Sequence, residues 1–282
     1  MWRPLAGWRP YDQRRCGEQP VITLLAPAKL TVSLQVTGVR ADGYHELDAE
    51  MVTLDLVDEL VLDPEGSGLR VDHEPGLRAG GLPGPGQNLV ERALEACGRS
   101  AAVRLTKRIP LGGGLGGGSA DAGAVLRWAG CADPEVAVTL GADVPFCLVG
   151  GRARVQGVGE QVTPLPFEHR RYVLVLPPFG VDTAQVYRAW DEDPRYDGPN
   201  ALTAAALVVE PRLASWRDAL GAWAGKEPVL AGSGSTWFVE AEAGAASGAG
   251  GDGTDGAGEL RVGAETGRLV RARTVPAGWE GD

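Results

Sequence analysis

The sequence predicts an α+β chain built on antiparallel or mixed sheet, and three observations lead there. Alternating apolar positions start early and recur with no helix between them: Val32, Leu34 and Val36, then Val52, Leu54 and Leu56. Helical spacing appears only later, at Leu89 to Cys97 and Leu213 to Trp223. The glycine run Gly112 to Gly118 follows a short strand that ends in charged residues and proline, a poor end for a central parallel strand.

Taken in order, residues 1 to 20 are polar and rich in Pro and Arg, and are expected to form a loose extension. Val21 to Leu25 and Thr31 to Thr37 read as strands, with Ala26 to Leu30 between them. Val52 to Leu56 continues the alternation, and Leu60 and Leu62 follow a turn-like Val57-Asp58. Gly66 to Gln87 is dense in Gly and Pro and is expected to be mostly loop. Asn88 to Cys97 predicts a helix with Gly98 at its C-terminal end, and Val103 to Lys107 a strand. A helix follows from about Ser119 to Ala129, closed by Gly130, and then a loop through Pro145. Arg152 to Val158 and Tyr172 to Leu176 predict strands, and Thr183 is placed to cap a helix carrying Val186, Tyr187 and Trp190. Gly225 stops the helix around Leu213 to Trp223, and two strands flank Gly232 to Ser235. Residues 244 to 258 are low-complexity and read as a flexible insert. Pro164 and Pro166 mark a boundary, which divides the chain into lobes 21–165 and 166–282.

The 282 residues, 44% hydrophobic, suffice for one large domain or two medium ones. A net charge of -10 argues against nucleic acid or a membrane surface as partner, since both need a basic field. The four cysteines contain no C-x-x-C pair and the three histidines are scattered, so neither a zinc site nor a disulfide framework is expected. That usage suits a reducing, cytoplasmic setting, and no apolar run is long enough for a signal peptide or a membrane span. Only Lys29, Lys107 and Lys226 are lysine among 27 basic residues. Each hints at a wanted compact ammonium, with compositional drift as the alternative.

The segment Lys107 to Leu126 carries the strongest chemical signal. Six glycines in seven positions let backbone N–H groups approach an anion, and the helix start adds unpaired N–H groups and a positive dipole end. The segment therefore reads as a phosphate cradle, with a mobile loop as the bland alternative. A Walker A loop is excluded because no lysine follows Gly117, and the Rossmann pattern is matched only as any glycine run would match it. Lys29 in Ala26–Leu30 reads as an edge lysine or as a cation beside a transferred phosphate. Asp143 reads as a turn residue or a catalytic carboxylate, and Gly232–Ser235 as a tight turn. Tyr44-His45 reads as core packing or as a grip on a base.

The order APAK, GGGLGGGSAD, GADVPF, GSGS resembles the GHMP kinase superfamily. Within it, PAKL…GVRADGYHELD, IPLGGGLGGGSADAG, LGADVPFCLVGG and VLAGSGSTWF resemble the branch acting on a cytidine-diphosphate-linked methylerythritol, on the way to isoprenoid precursors. The resemblance runs from about Val21 to Glu240. It implies two lobes, ribosomal-S5-like then ferredoxin-like, and transfer of the γ-phosphoryl of ATP, with Mg²⁺, to the 2-hydroxyl of that small molecule. It implies catalytic roles for Lys29 and Asp143, and phosphate binding by Pro110, Leu111, Gly112, Gly113, Gly114, Leu115, Gly116, Gly117, Gly118 and Ser119. The Ser119 hydroxyl would reach phosphate or Mg²⁺. Asn88 and Lys107 would lie near the adenosine, with a helix cap and a strand-end charge as their structural alternatives. Tyr44, His45 and Tyr187 would hold the cytosine. Thr31 stands where many relatives have Asn and would still offer a hydroxyl to substrate. Asp121 would aid Mg²⁺ or cap the helix.

Overall fold

The computed structural model of the protein describes residues 21–74, 86–196, 198–242 and 257–281. The first 20 residues and most of the 244–258 insert lie outside the described residues.

A long hairpin sets the frame. β1 (Ile22–Val39) pairs antiparallel with β2 (His45–Asp63), from Ile22 opposite Leu62 to Val39 opposite His45. The other edge of β2 is shared. Its first half pairs with β5 (Arg152–Gly157) and its second half with β4 (Ala102–Lys107). β3 (Gly68–His73) lies parallel to β4, and β6 (Gln161–Pro164) antiparallel to β5, giving a six-stranded mixed sheet. Against it lie α1 (Leu89–Ala96), α2 (Gly117–Ala129), α3 (Pro134–Leu140) and α4 (Val144–Val149), with α2 packed on β1, α1 and α4. The second sheet holds five antiparallel strands in the order β10-β11-β7-β9-β8. They are β7 (Arg171–Leu176), β8 (Val229–Leu230), β9 (Trp237–Ala241), β10 (Ala257–Val262) and β11 (Glu265–Arg273). Between β7 and β8 come α5 (Thr183–Glu192), α6 (Thr203–Val209) and α7 (Arg212–Ala224). Helix α7 buries Leu213, Trp216 and Leu220 completely, each of which stabilises the fold by roughly 1.5–3 kcal/mol.

One contiguous apolar core runs through both sheets, and backbone bonds also stitch them together. Leu34 of β1 exchanges bonds with Pro199 O and Ala201 N, at 2.8 and 2.9 Å. After β11 the chain returns to the first sheet, where Val275 N donates to Thr53 O at 3.0 Å. The C-terminal tail therefore does not stay with the second sheet.

Several sequence expectations need correction. The two strands around Ala26–Leu30 are one strand, because a register shift between Pro27 and Lys29 absorbs the proline without breaking the pairing. Val57-Asp58 is not a turn but part of β2. Gly66–Gln87 contains β3, and the expected loop up to Pro145 contains α3 and the start of α4, whose Pro145 sits where no helical N–H is needed. Asp182, rather than Thr183, caps α5 by accepting from Gln185 N. β10 already begins at Ala257, inside the expected insert.

Candidate active site

Strand β4 runs into the glycine loop, which turns into α2. Gly116 caps the helix in the left-handed region (φ 66°), and neither a capping side chain nor an acidic residue occupies the first turn. The first N–H groups of α2 are thus left for an anion. The loop is pinned from the second sheet: Ser235 N donates to Gly112 O at 3.2 Å and Thr236 N to Gly113 O at 3.3 Å. Two glycines are sterically required. A Cβ on Gly114 would come within 2.0 Å of Ala231 O, and one on Gly116 within 2.7 Å of Lys29 Cγ. Leu115 is fully buried, and its carbonyl accepts from Lys29 N at 3.0 Å, so its side chain anchors the loop rather than facing a ligand.

That backbone bond brings Lys29 of β1 under the loop. Its Nζ lies 3.2 Å from Asp143 Oδ2 and donates to Thr31 Oγ1 at 3.1 Å. The lysine side chain is 7% exposed and that of Asp143 33%, so the carboxylate is the open member of the pair. Asp143 is held at the N-terminal end of α4, where Cys147 N donates to its carbonyl at 3.1 Å. Burial, helped by the Asp143 charge, pushes the Cys147 thiol up to about 12. The Thr31 hydroxyl is buried and accepts from Lys29 Nζ.

Lys107 also needs correction. It does not face a nucleotide: it is 2% exposed, and its ammonium is bonded to Asp58 Oδ2 and, at 2.6 Å, to Asp121 Oδ2. The other Asp58 oxygen accepts from Arg108 N and, at 2.8 Å, from Ile109 N. Three buried ionisable groups from β2, β4 and α2 thus clamp the root of the glycine loop. Burial first, with the nearby Asp58 charge, pushes Asp121 up to about 8 against the pull of Lys107. Asp121 neither caps α2 nor opens to a cleft. Sequence reading missed this brace, although a signal was present: Asp58 shares the inward register of Leu54, Leu60 and Leu62, and Lys107 that of Val103 and Leu105.

Asn88 caps α1, its Oδ1 accepting from Val90 N at 2.9 Å. Ser119 is half-buried in the first turn of α2. Tyr44 is 64% exposed, and the rings of His45 and Tyr187 lie with centroids 4.6 Å apart. Asp191, which the sequence did not single out, lies 2.7 Å from His45 Nε2. Among the described residues no cluster of three or more His, Cys, Asp or Glu could hold a metal ion.

A helix start with open N–H groups beside a lysine–carboxylate pair, in a two-sheet α+β frame, is the arrangement of a small-molecule kinase of the GHMP class. The model for the GHMP kinases N terminal domain matches residues 88–151. The chain is 40% identical over 252 residues to 4-diphosphocytidyl-2-C-methyl-D-erythritol kinase from Ruegeria pomeroyi, covering 77% of this chain and 88% of that one. A crystal structure of 4-(cytidine 5'-diphospho)-2C-methyl-D-erythritol kinase aligns with a TM-score of 0.61 at 37% identity, over 77% of this chain and 89% of that chain. The L. major mevalonate kinase structure aligns with a TM-score of 0.55 at 14% identity, over 81% and 90%, and shares the fold alone. This chain belongs to the 4-diphosphocytidyl-2-C-methyl-D-erythritol kinase family.

Proposed function

We propose that this chain transfers the γ-phosphoryl of ATP to the 2-hydroxyl of 4-diphosphocytidyl-2-C-methyl-D-erythritol, a step toward isoprenoid precursors. The observation that carries the reading is the 3.2 Å contact between Lys29 and Asp143 beside the glycine loop. The acceptor hydroxyl oxygen bonds to the γ-phosphorus as the bond to the β,γ-bridging oxygen breaks, and ADP leaves. Asp143 takes the hydroxyl proton, directly or as it is lost. Lys29 holds the Asp143 carboxylate in place and offsets charge on the attacking oxygen. Most of the rate comes from alignment and charge stabilisation, which so sparse a site supplies.

The backbone N–H groups from Gly112 to Gly118 and the start of α2 hold the ATP phosphates. The hydroxyl at Ser119, a hard oxygen in the first turn of α2, fits Mg²⁺, which commonly binds through one or two protein oxygens plus phosphates. Bound there, the ion would neutralise phosphate charge. His45 and Tyr187, with Tyr44 at the rim, receive the cytosine. The lobes 21–165 and 166–282 flank this site. Among the described residues no helix is long and apolar enough to cross a membrane. We place the enzyme in the cytoplasm, with no nucleic acid or membrane partner.

The test is ADP release with Mg-ATP and the cytidine substrate, with homoserine and mevalonate as control acceptors. Release with the cytidine substrate alone supports the reading. Activity with a control only would move the chain elsewhere in the superfamily.

A further inference from the structure

Helix α4 carries Asp143 at its start, and its end is held from another helix. The last carbonyls of a helix need donors from outside it, and a cation suits the negative dipole end there. α4 has no basic residue in its last turn. The Arg127 guanidinium of α2 supplies what is missing, donating from Nη1 to Cys147 O. Among the described residues no carboxylate pairs with Arg127, and burial lowers its pKa from the ordinary value. The two helices also meet closely one turn earlier on α2, at Gly123, where a Cβ would fall 2.8 Å from the Cys147 carbonyl carbon. Cys147 in turn donates its N–H to Asp143 O at 3.1 Å.

The Asp143 carboxylate makes no capping bond to α4, so it is left for chemistry. Lys29 acts on that carboxylate from β1, while the backbone behind it is fixed on α2 through Arg127 and Gly123. α2 also begins at the glycine loop. One helix is therefore the common reference for the anion cradle and for the carboxylate. We infer that Arg127 is a positioning residue that, by capping α4 from α2, sets the distance from Asp143 to the start of α2. This rests on the phosphoryl-transfer reading above, in which the phosphates lie at that helix start. The distance matters because a misplacement of about 1 Å can cost on the order of 10²-fold in rate.

The first test is kinetic, with Mg-ATP and the cytidine substrate. Arg127→Leu removes the bond to Cys147 O and should lower kcat by about tenfold or more, leaving the KM for ATP unchanged because the start of α2 is not touched. In an Asp143→Asn background the same change should alter kcat by less than about twofold, since no carboxylate is left to place. Arg127→Lys keeps a donor and should recover most of the kcat. Gly123→Ala should reproduce the loss with Arg127 intact. Equal losses from Arg127→Leu in the two backgrounds, or a matching rise in the KM for ATP, would make Arg127 a packing residue and overturn the inference. The second test needs no turnover. Iodoacetamide labelling of the native chain, read at Cys147 by peptide mass mapping, should be about tenfold faster in Arg127→Leu than in wild type or Arg127→Lys, because α4 opens locally more often. Labelling of Arg127→Leu at the wild-type rate would show that α4 does not depend on Arg127 and overturn the inference. A wild-type chain inactive on the cytidine substrate would overturn the catalytic reading and the placing of Asp143 with it. The labelling result distinguishes that failure from one confined to Arg127.

Discussion

Replacing Lys107 with Met keeps the length of the side chain and removes the charge from the brace under the glycine loop. Lys107, Asp58 and Asp121 are 2%, 0% and 2% exposed, so water cannot solvate what is left behind. Removing one partner of a buried ion pair costs about 3–5 kcal/mol. Burial raises Asp121 toward its neutral form, so Asp58 is the charge left without its partner. Asp58 keeps its backbone bonds from Arg108 and Ile109, which puts the cost near the lower end, about 3 kcal/mol. For a chain of this size that corresponds to a fall in Tm of roughly 6–12 °C. The KM for ATP should rise as well, since β4 leads straight into the loop. Urea unfolding followed by tryptophan fluorescence, with ATP titrations, measures both. A loss below about 1 kcal/mol with an unchanged KM for ATP would refute the reasoning. Asp121→Asn is the comparison. The folded-state pKa of Asp121 is raised above its ordinary 3.8, so its contribution to stability is complete below about 4 and lost as pH rises through about 8. Wild-type Tm should therefore fall over that window relative to Asp121→Asn.

Lys29→Ala and Asp143→Asn should each lower kcat by on the order of 10²-fold or more with circular dichroism unchanged; near-normal turnover in both would remove the pair from catalysis. Gly116→Ala should lower kcat, because its Cβ would fall 2.7 Å from Lys29 Cγ at a residue with φ of 66°; the strain is roughly 1–2 kcal/mol, and wild-type kinetics would show the loop has slack. Tyr187→Ala should raise the KM of the cytidine substrate more than that of ATP, and equal effects would take Tyr187 out of the base site. The Cys147 thiol, buried and pushed up to about 12, should resist thiol reagents in native enzyme and react on unfolding, as timed thiol titration would show.

Much of this site was legible because its parts are local. The glycine run and the helix after it are contiguous, and the same backbone need that makes Gly116 a left-handed cap makes it glycine. Lys29 and Asp143 stood out through the order of their motifs, although nothing local told a catalytic carboxylate from a turn residue. Strand alternation identified β1 and β2, and failed at Ala26–Leu30 and Val57-Asp58, where a proline and a charged residue suggested breaks. Long-range pairing overrode both. Lys107 misled for the same reason, since a lysine at a strand end looks solvent-facing until its two carboxylates are seen.

The sequence alone determined the α+β class and marked a phosphate cradle, a lysine and a carboxylate as candidates, because each rests on backbone freedom, residue chemistry or short-range periodicity. Only the tertiary structure decided which charges are spent inside and which stay open to solvent. It pairs Lys107 with Asp58 and Asp121, turns Thr31 toward Lys29, and brings Asp191 to His45 across 146 positions of chain. Such pairings follow from which strands and helices pack together, so the role of each charge is set by neighbours distant in sequence.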